Sequence, residues 1–211
     1  MTAQRSFIAQ ARDLARNRIY FWTVSAMTAM IYVLSGLSFI WVRLLVAAWG
    51  LPKRNAVTSA MVVGGVAVGV GSVLGPRLLD RRGGLHTIAG RLRGLELMST
   101  ALIAATLAAA VAILELMARW REVRTVRDGA LPLASDRSVI GLHICCSMLS
   151  MVCGAAIPGL AGISITAVPP PMRSMAAGLT ASMQSLAGYV PGLLIPGVVM
   201  ELIEKFVGVC P

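Results

Sequence analysis

Five stretches without a single Asp, Glu, Lys or Arg limit how this chain can fold. They cover residues 19–42 (24 residues), 56–76 (21), 97–114 (18), 138–172 (35) and 174–200 (27). A bilayer hydrocarbon core of about 30 Å is crossed by about 20 residues of helix. Lipid offers no partner to free backbone groups, so only helices or closed barrels cross it. A barrel would show alternating segments of about ten residues, and these runs are longer and continuous. The pattern predicts an all-α, polytopic membrane bundle with five transmembrane helices near 19–42, 56–78, 95–118, 138–166 and 174–203. Composition points the same way. Hydrophobic residues make up 57% of the chain and charged residues only 13%, against about 25% charged in an average soluble domain.

The domain plan follows from these runs. Residues 1–18 form a basic tail, 19–204 the bundle and 205–211 a short C-terminal tail. The tail is polar and the apolar run after it is too long for a signal-peptide core. Phe7, Ile8 and Leu14 among Arg5, Arg12 and Arg16 suit a helix lying on the membrane surface; a solvated tail is the alternative. The net charge of +10 would suggest nucleic acid in a soluble protein. Here the arginines fall between apolar runs, so the expected partner is the lipid bilayer, and no nucleic acid is expected. Alternate flanks carry 10 and 9 Lys and Arg. The positive-inside rule therefore leaves the orientation open.

Glycine and proline mark the second and fifth runs. Gly65 and Gly69 are four apart, as are Gly71 and Gly75. Such spacing predicts close helix packing, because packing rather than hydrophobicity drives association in lipid. The fifth run holds Gly188, Pro191 and Pro196. Two prolines remove two backbone donors and predict a bend, either a packing kink or a moving part. Polar groups inside apolar spans are expensive and therefore informative. Ser35, His143, Ser147 and Gln184 are the candidates for lining a cavity. A lone His near a helix end also reaches the interface or a carbonyl, and a mid-span amide also pairs across helices. Cys145, Cys146 and Cys153 lack metal-ligand spacing and read as small apolar residues. No phosphate-binding Gly-Lys-Ser/Thr motif is present. No metal, cofactor or enzymatic activity is expected.

Three segments together resemble the C-terminal half of a major facilitator superfamily transporter, most closely the spinster-like branch. Residues 17–41, NRIYFWTVSAMTAMIYVLSGLSFIW, look like the seventh helix, with an Asn-x-x-Tyr start, small residues in the middle and an aromatic exit. Residues 69–84, GVGSVLGPRLLDRRGG, look like the end of the eighth helix and the Asp-Arg-x-Gly loop. Residues 169–202, PPPMRSMAAGLTASMQSLAGYVPGLLIPGVVMEL, resemble the loop before the eleventh helix and that helix. The likeness spans about residues 17–203. It departs at Gly75, five residues before Asp80 where four is usual, and at Gly84-Leu85, which replace a basic pair.

The resemblance implies transmembrane transport by alternating access, of lipids or organic anions in the spinster-like case. It places the tail, the loop with Arg77–Arg93 and the turn at Arg173 in the cytoplasm. The five arginines between Arg119 and Arg137 then lie outside, against the positive-inside rule. It implies a gating loop at Gly75, Asp80, Arg81 and Arg173, whose charge pairs break and re-form as the halves rock. It implies an adaptable, methionine-lined cavity for a small amphipathic substrate, drawn from Met27, Met30, Met148, Met151 and Met183. A facilitator has twelve helices, so the complementary N-terminal half must come from elsewhere or from a homo-oligomer. The contrasting reading is a multi-helix membrane scaffold or assembly subunit without transport.

Overall fold

The computed structural model describes residues 7–49, 51–81 and 136–206, with eight positions between Arg93 and Ala110. No strand occurs among the described residues. The elements are α1 (Phe7–Arg16), α2 (Arg18–Trp49), α3 (Lys53–Arg81), α4 (Asp136–Thr166), a 3₁₀ turn (Pro170–Met172), α5 (Arg173–Met183), a π-helical segment (Gln184–Tyr189) and α6 (Val190–Phe206). Among the described residues three helical stretches are long and apolar enough to cross a membrane: Arg18–Arg43, Lys53–Arg81 and Ile140–Thr166. Residues 173–206 form one further helical path, divided by the π segment. The expected span near 95–118 lies mostly outside the described residues. Arg93, Glu96, Ser99, Thr100, Ile103, Thr106, Leu107 and Ala110 are helical and exposed.

Local chemistry sets the boundaries. Asn17 separates α1 from α2 and caps the latter, its Oδ1 accepting the Ile19 and Tyr20 amides at 3.2 and 3.3 Å. A side-chain oxygen there satisfies donors that a helix start leaves free. Helix α3 begins after Pro52, whose carbonyl accepts the Ala56 amide at 3.1 Å. Helix α4 stops before Pro169, Pro170 and Pro171, which have no amide to donate and disfavour helical geometry in the residue before each. The tail reading sharpens accordingly: residues 7–16 are helical, and Leu14 is buried at 2% exposure against Tyr20, Val24, Val168 and Ala176.

Cross-helix contacts fix the directions. Asn17 Nδ2 donates to the Ala167 carbonyl (2.9 Å), and Trp41 meets His143 at the other end. Helices α2 and α4 are therefore antiparallel. Helices α3 and α4 are parallel, with Gly71 at Met151 and Gly75 at Ala155. Helix α2 and the 173–206 path are parallel, with Tyr20 at Ala176, Thr28 at Gly188 and Tyr32 at Gly192. The main apolar cluster joins Leu37, Trp41 and Leu45 of α2, Ala56 and Ala60 of α3, and Leu142, Cys146, Leu149 and Cys153 of α4.

Candidate functional site

Two parallel seams run through the bundle, each built on a glycine pair four residues apart. In the first, Gly71 and Gly75 of α3 lie directly on the α4 backbone, where a Cβ would collide with the carbonyls of Met151 and Ala155. Gly154 of α4 returns the contact against Val68. In the second, a Cβ on Gly188 would lie 3.1 Å from the Thr28 carbonyl, and one on Gly192 would strike Ser35 Oγ and stand 2.8 Å from the Tyr32 carbonyl. Gly36 of α2 returns this contact, its Cβ position 3.3 Å from the Gly192 carbonyl. Glycine is needed at these positions because only a missing side chain lets two backbones touch.

The other glycine pair behaves differently. Nothing described comes within 4 Å of a Cβ built on Gly65 or Gly69. The contact face of α3 runs through Ala56, Ala60, Ala67, Gly71, Gly75 and Leu79. Gly65 and Gly69 fall off that stripe, beside the exposed Val62, Val66 and Val70. Among the described residues they meet no neighbour, since the 3.6-residue period turns them away from α4.

The bend in the last path takes a specific form. The π segment ends with the Val190 amide donating to the Ser185 carbonyl, one residue beyond α-helical reach. Pro191 follows at once and has no amide to give. Widening the turn just before a missing donor relieves the clash that the proline ring makes with the preceding turn. Gln184 opens this segment, half-buried, and Gly188 inside it is buried on α2. Pro196 lies against α2 as well, with Pro196 Cγ 3.5 Å from a Cβ built on Gly36.

Ser35 is buried, and its hydroxyl donates to the Ile31 and Tyr32 carbonyls at 2.9 and 3.0 Å. It faces Gly192 across the seam. Ser147 likewise donates to the carbonyl of His143 one turn earlier. His143 is half-buried and meets Trp41 edge to face, with centroids 5.3 Å apart. Met27 and Met30 are buried with Ala156 and Leu160, so they too form core. Met148 and Met183 are exposed.

The gating residues share one end of the bundle. Asp80, Arg81 and Arg173 are exposed there, and Gly75 is buried one turn inward. Arg173 Nε donates to the Val168 carbonyl at 3.4 Å. Among the described residues Asp80 forms no ion pair with Arg81 or Arg173. The polar work at this end is done by Asn17 and Tyr20. Tyr20 Oη donates to the Ala176 carbonyl (2.9 Å) and lies 3.0 Å from Thr180 Oγ1, all buried. Together with the Asn17–Ala167 bond, this ties the starts of α2 and α5 to the end of α4. The cap role of Asn17 has a sequence signal, an Asn just before an apolar run. Thr180 has none, because its partner is 160 residues away.

No group of three or more His, Cys, Asp or Glu side chains among the described residues is placed to hold a metal ion. Comparison with protein-family models, with curated proteins and with solved structures finds no match.

Proposed function

We propose that this chain is a multi-pass integral membrane protein and forms part of a secondary transporter on the facilitator plan. One observation carries the reading. Exchanging α2 with α4, and α3 with the 173–206 path, turns each glycine seam into the other. The α2–α4 contact maps onto itself, and the α2–α3 contact onto that of α4 with α5. Because α2 and α4 are antiparallel, the exchange inverts the molecule. Each unit has two described helices; in facilitator transporters inverted repeats of three helices recur within each half, and the sites lie at the repeat interface. A scaffold has no need of such symmetry.

In this reading the seam of α2 with the 173–206 path lets the repeats shift against each other, and the bend at 184–191 is where the backbone yields. The described cations divide almost evenly between the two ends. Arg12, Arg16, Arg18, Arg77, Arg81 and Arg173 belong to the end holding α1, and Arg43, Lys53, Arg54, Arg137 and Lys205 to the other. Charge therefore leaves the orientation open, as in the sequence count, and the cytoplasmic position of the α1 end rests on the resemblance alone. The proposed substrate is a small amphipathic lipid or organic anion, exported in spinster-like fashion with no chemical conversion. The complementary six helices come from sequence outside these 211 residues or from a second chain.

Immunoblotting native membranes with an antibody against residues 1–18 tests this directly. A band near twice the calculated 22.2 kDa, or a stable complex with a six-helix partner or a second copy, is expected from the two-half plan. A monomeric species at the calculated mass, with neither partner nor self-association, would overturn the transporter reading and favour a five-helix scaffold. The chain reconstituted by itself as a monomer is expected to give no saturable flux of a lysolipid probe.

A further inference from the structure

Helix α1 is held across one end of the bundle by Leu14. On the far side of α1 from Leu14, Ile8, Arg12 and Arg16 follow one another at four-residue spacing, which puts them on one face. All three are exposed, Ile8 by 78%. Past the Asn17 cap, α2 continues with exposed Arg18, Ile19, Phe21 and Trp22. Trp22 is 67% exposed, and its ring stands edge to face with Phe21 at 5.7 Å. The one acid on α1 is Asp13.

Water favours the arginines in this arrangement and disfavours the aliphatic and indole side chains. A membrane interface favours both. Apolar side chains of a short amphipathic helix enter the boundary between headgroups and acyl chains. Tryptophan prefers the headgroup level, and guanidinium groups bind phosphate oxygens in pairs. A docked α1, joined to α2 at Asn17, keeps these groups at one end of the bundle.

We propose that this surface binds anionic phospholipid headgroups. Arg12, Arg16 and Arg18 contact the phosphates, while Ile8, Ile19 and Trp22 enter the acyl boundary. The proposal rests on the membrane reading above and is independent of transport.

The test uses the full chain in nanodiscs of phosphatidylcholine containing a minor share of phosphatidylglycerol. One of the two lipids is brominated at a time, so that it quenches nearby tryptophan. Trp22 emission is isolated by subtracting a Trp22→Phe variant. Brominated phosphatidylglycerol is expected to quench Trp22 well beyond its mole fraction, and R12Q/R16Q/R18Q to abolish the excess. Each arginine near a charged leaflet contributes about fivefold in local lipid affinity. If the triple variant does not fold, R12Q alone reads that single step. Equal quenching by both lipids, an excess that survives the substitutions, or displacement by millimolar inorganic phosphate would overturn the proposal. Alkaline carbonate extraction separates the two claims. Release of the chain from membranes sinks the membrane reading itself, whereas a retained chain with equal quenching sinks only the lipid preference.

Discussion

Along the α3–α4 seam, Gly71 and Gly75 set backbone against backbone between two regular α-helices, although each helix contains a proline, Pro76 and Pro158. Along the seam of α2 with the 173–206 path, Gly188 and Gly192 sit within and just after a π segment, followed by Pro191 and Pro196. A proline alone does not make the difference, since both seams contain one. The difference lies in what the glycines touch. Gly71 and Gly75 meet carbonyls, which cannot move without moving a helix. Gly192 meets the Ser35 side chain first, which a rotation can move, with the Tyr32 carbonyl behind it at 2.8 Å, and Gly188 stands farther off, 3.1 Å from the Thr28 carbonyl. The same contact serves as a fixed joint in one seam and an adjustable one in the other.

Four substitutions break or sharpen this comparison. The largest effect is expected at the fixed joint. Gly75→Leu drives a side chain into the Ala155 backbone, and overpacking of this kind costs about 3 kcal/mol. Loss of a monodisperse, thermally cooperative species in detergent checks it; a variant melting like the wild type would contradict the seam.

At the adjustable joint Gly192→Ala is expected to cost less, about 1–2 kcal/mol. Combining it with Ser35→Gly is expected to recover part of that loss, because the Ser35 hydroxyl is the nearest obstacle and the Tyr32 carbonyl remains. A double-variant cycle of melting curves reads the coupling. Strict additivity would mean the two seams do not differ in the way described.

Pro191→Ala restores a backbone donor directly after the π segment. It is expected to slow amide exchange across 184–191 by roughly fivefold, the equivalent of about 1 kcal/mol for one hydrogen bond. Unchanged exchange would show that packing against α2, not the missing donor, holds the π geometry.

The smallest effect is expected at the pair that faces away. Gly65→Ala and Gly69→Ala meet nothing described within 4 Å. Each is expected to leave stability unchanged or raise it by up to about 1 kcal/mol through helix propensity. A marked loss of melting temperature in either would reveal a contact on that face.

The sequence by itself determined the helical class and the rough extent of α2, α3 and α4, because an apolar run free of charge is a one-dimensional property set by the thickness of hydrocarbon. The three prolines at 169–171 and Asn17 carry local signals of the same kind, since their chemistry acts on the next few residues. The bend near Pro191 was readable as a bend, but not as a π segment, which depends on which carbonyl the Val190 amide reaches. Gly65–Gly69 and Gly71–Gly75 were indistinguishable as text. Only the rotation of α3 against α4 decided which pair meets α4. Ser35 was a polar residue in an apolar span, and only the assembled bundle set it against Gly192. The Tyr20–Thr180 contact joins positions 160 apart, and the exchange of the two seams needs the directions of four helices at once. Spacing along the chain carries information about one helix face. Which face meets which partner is a property of the assembled bundle, because close packing in lipid depends on the shapes of both surfaces.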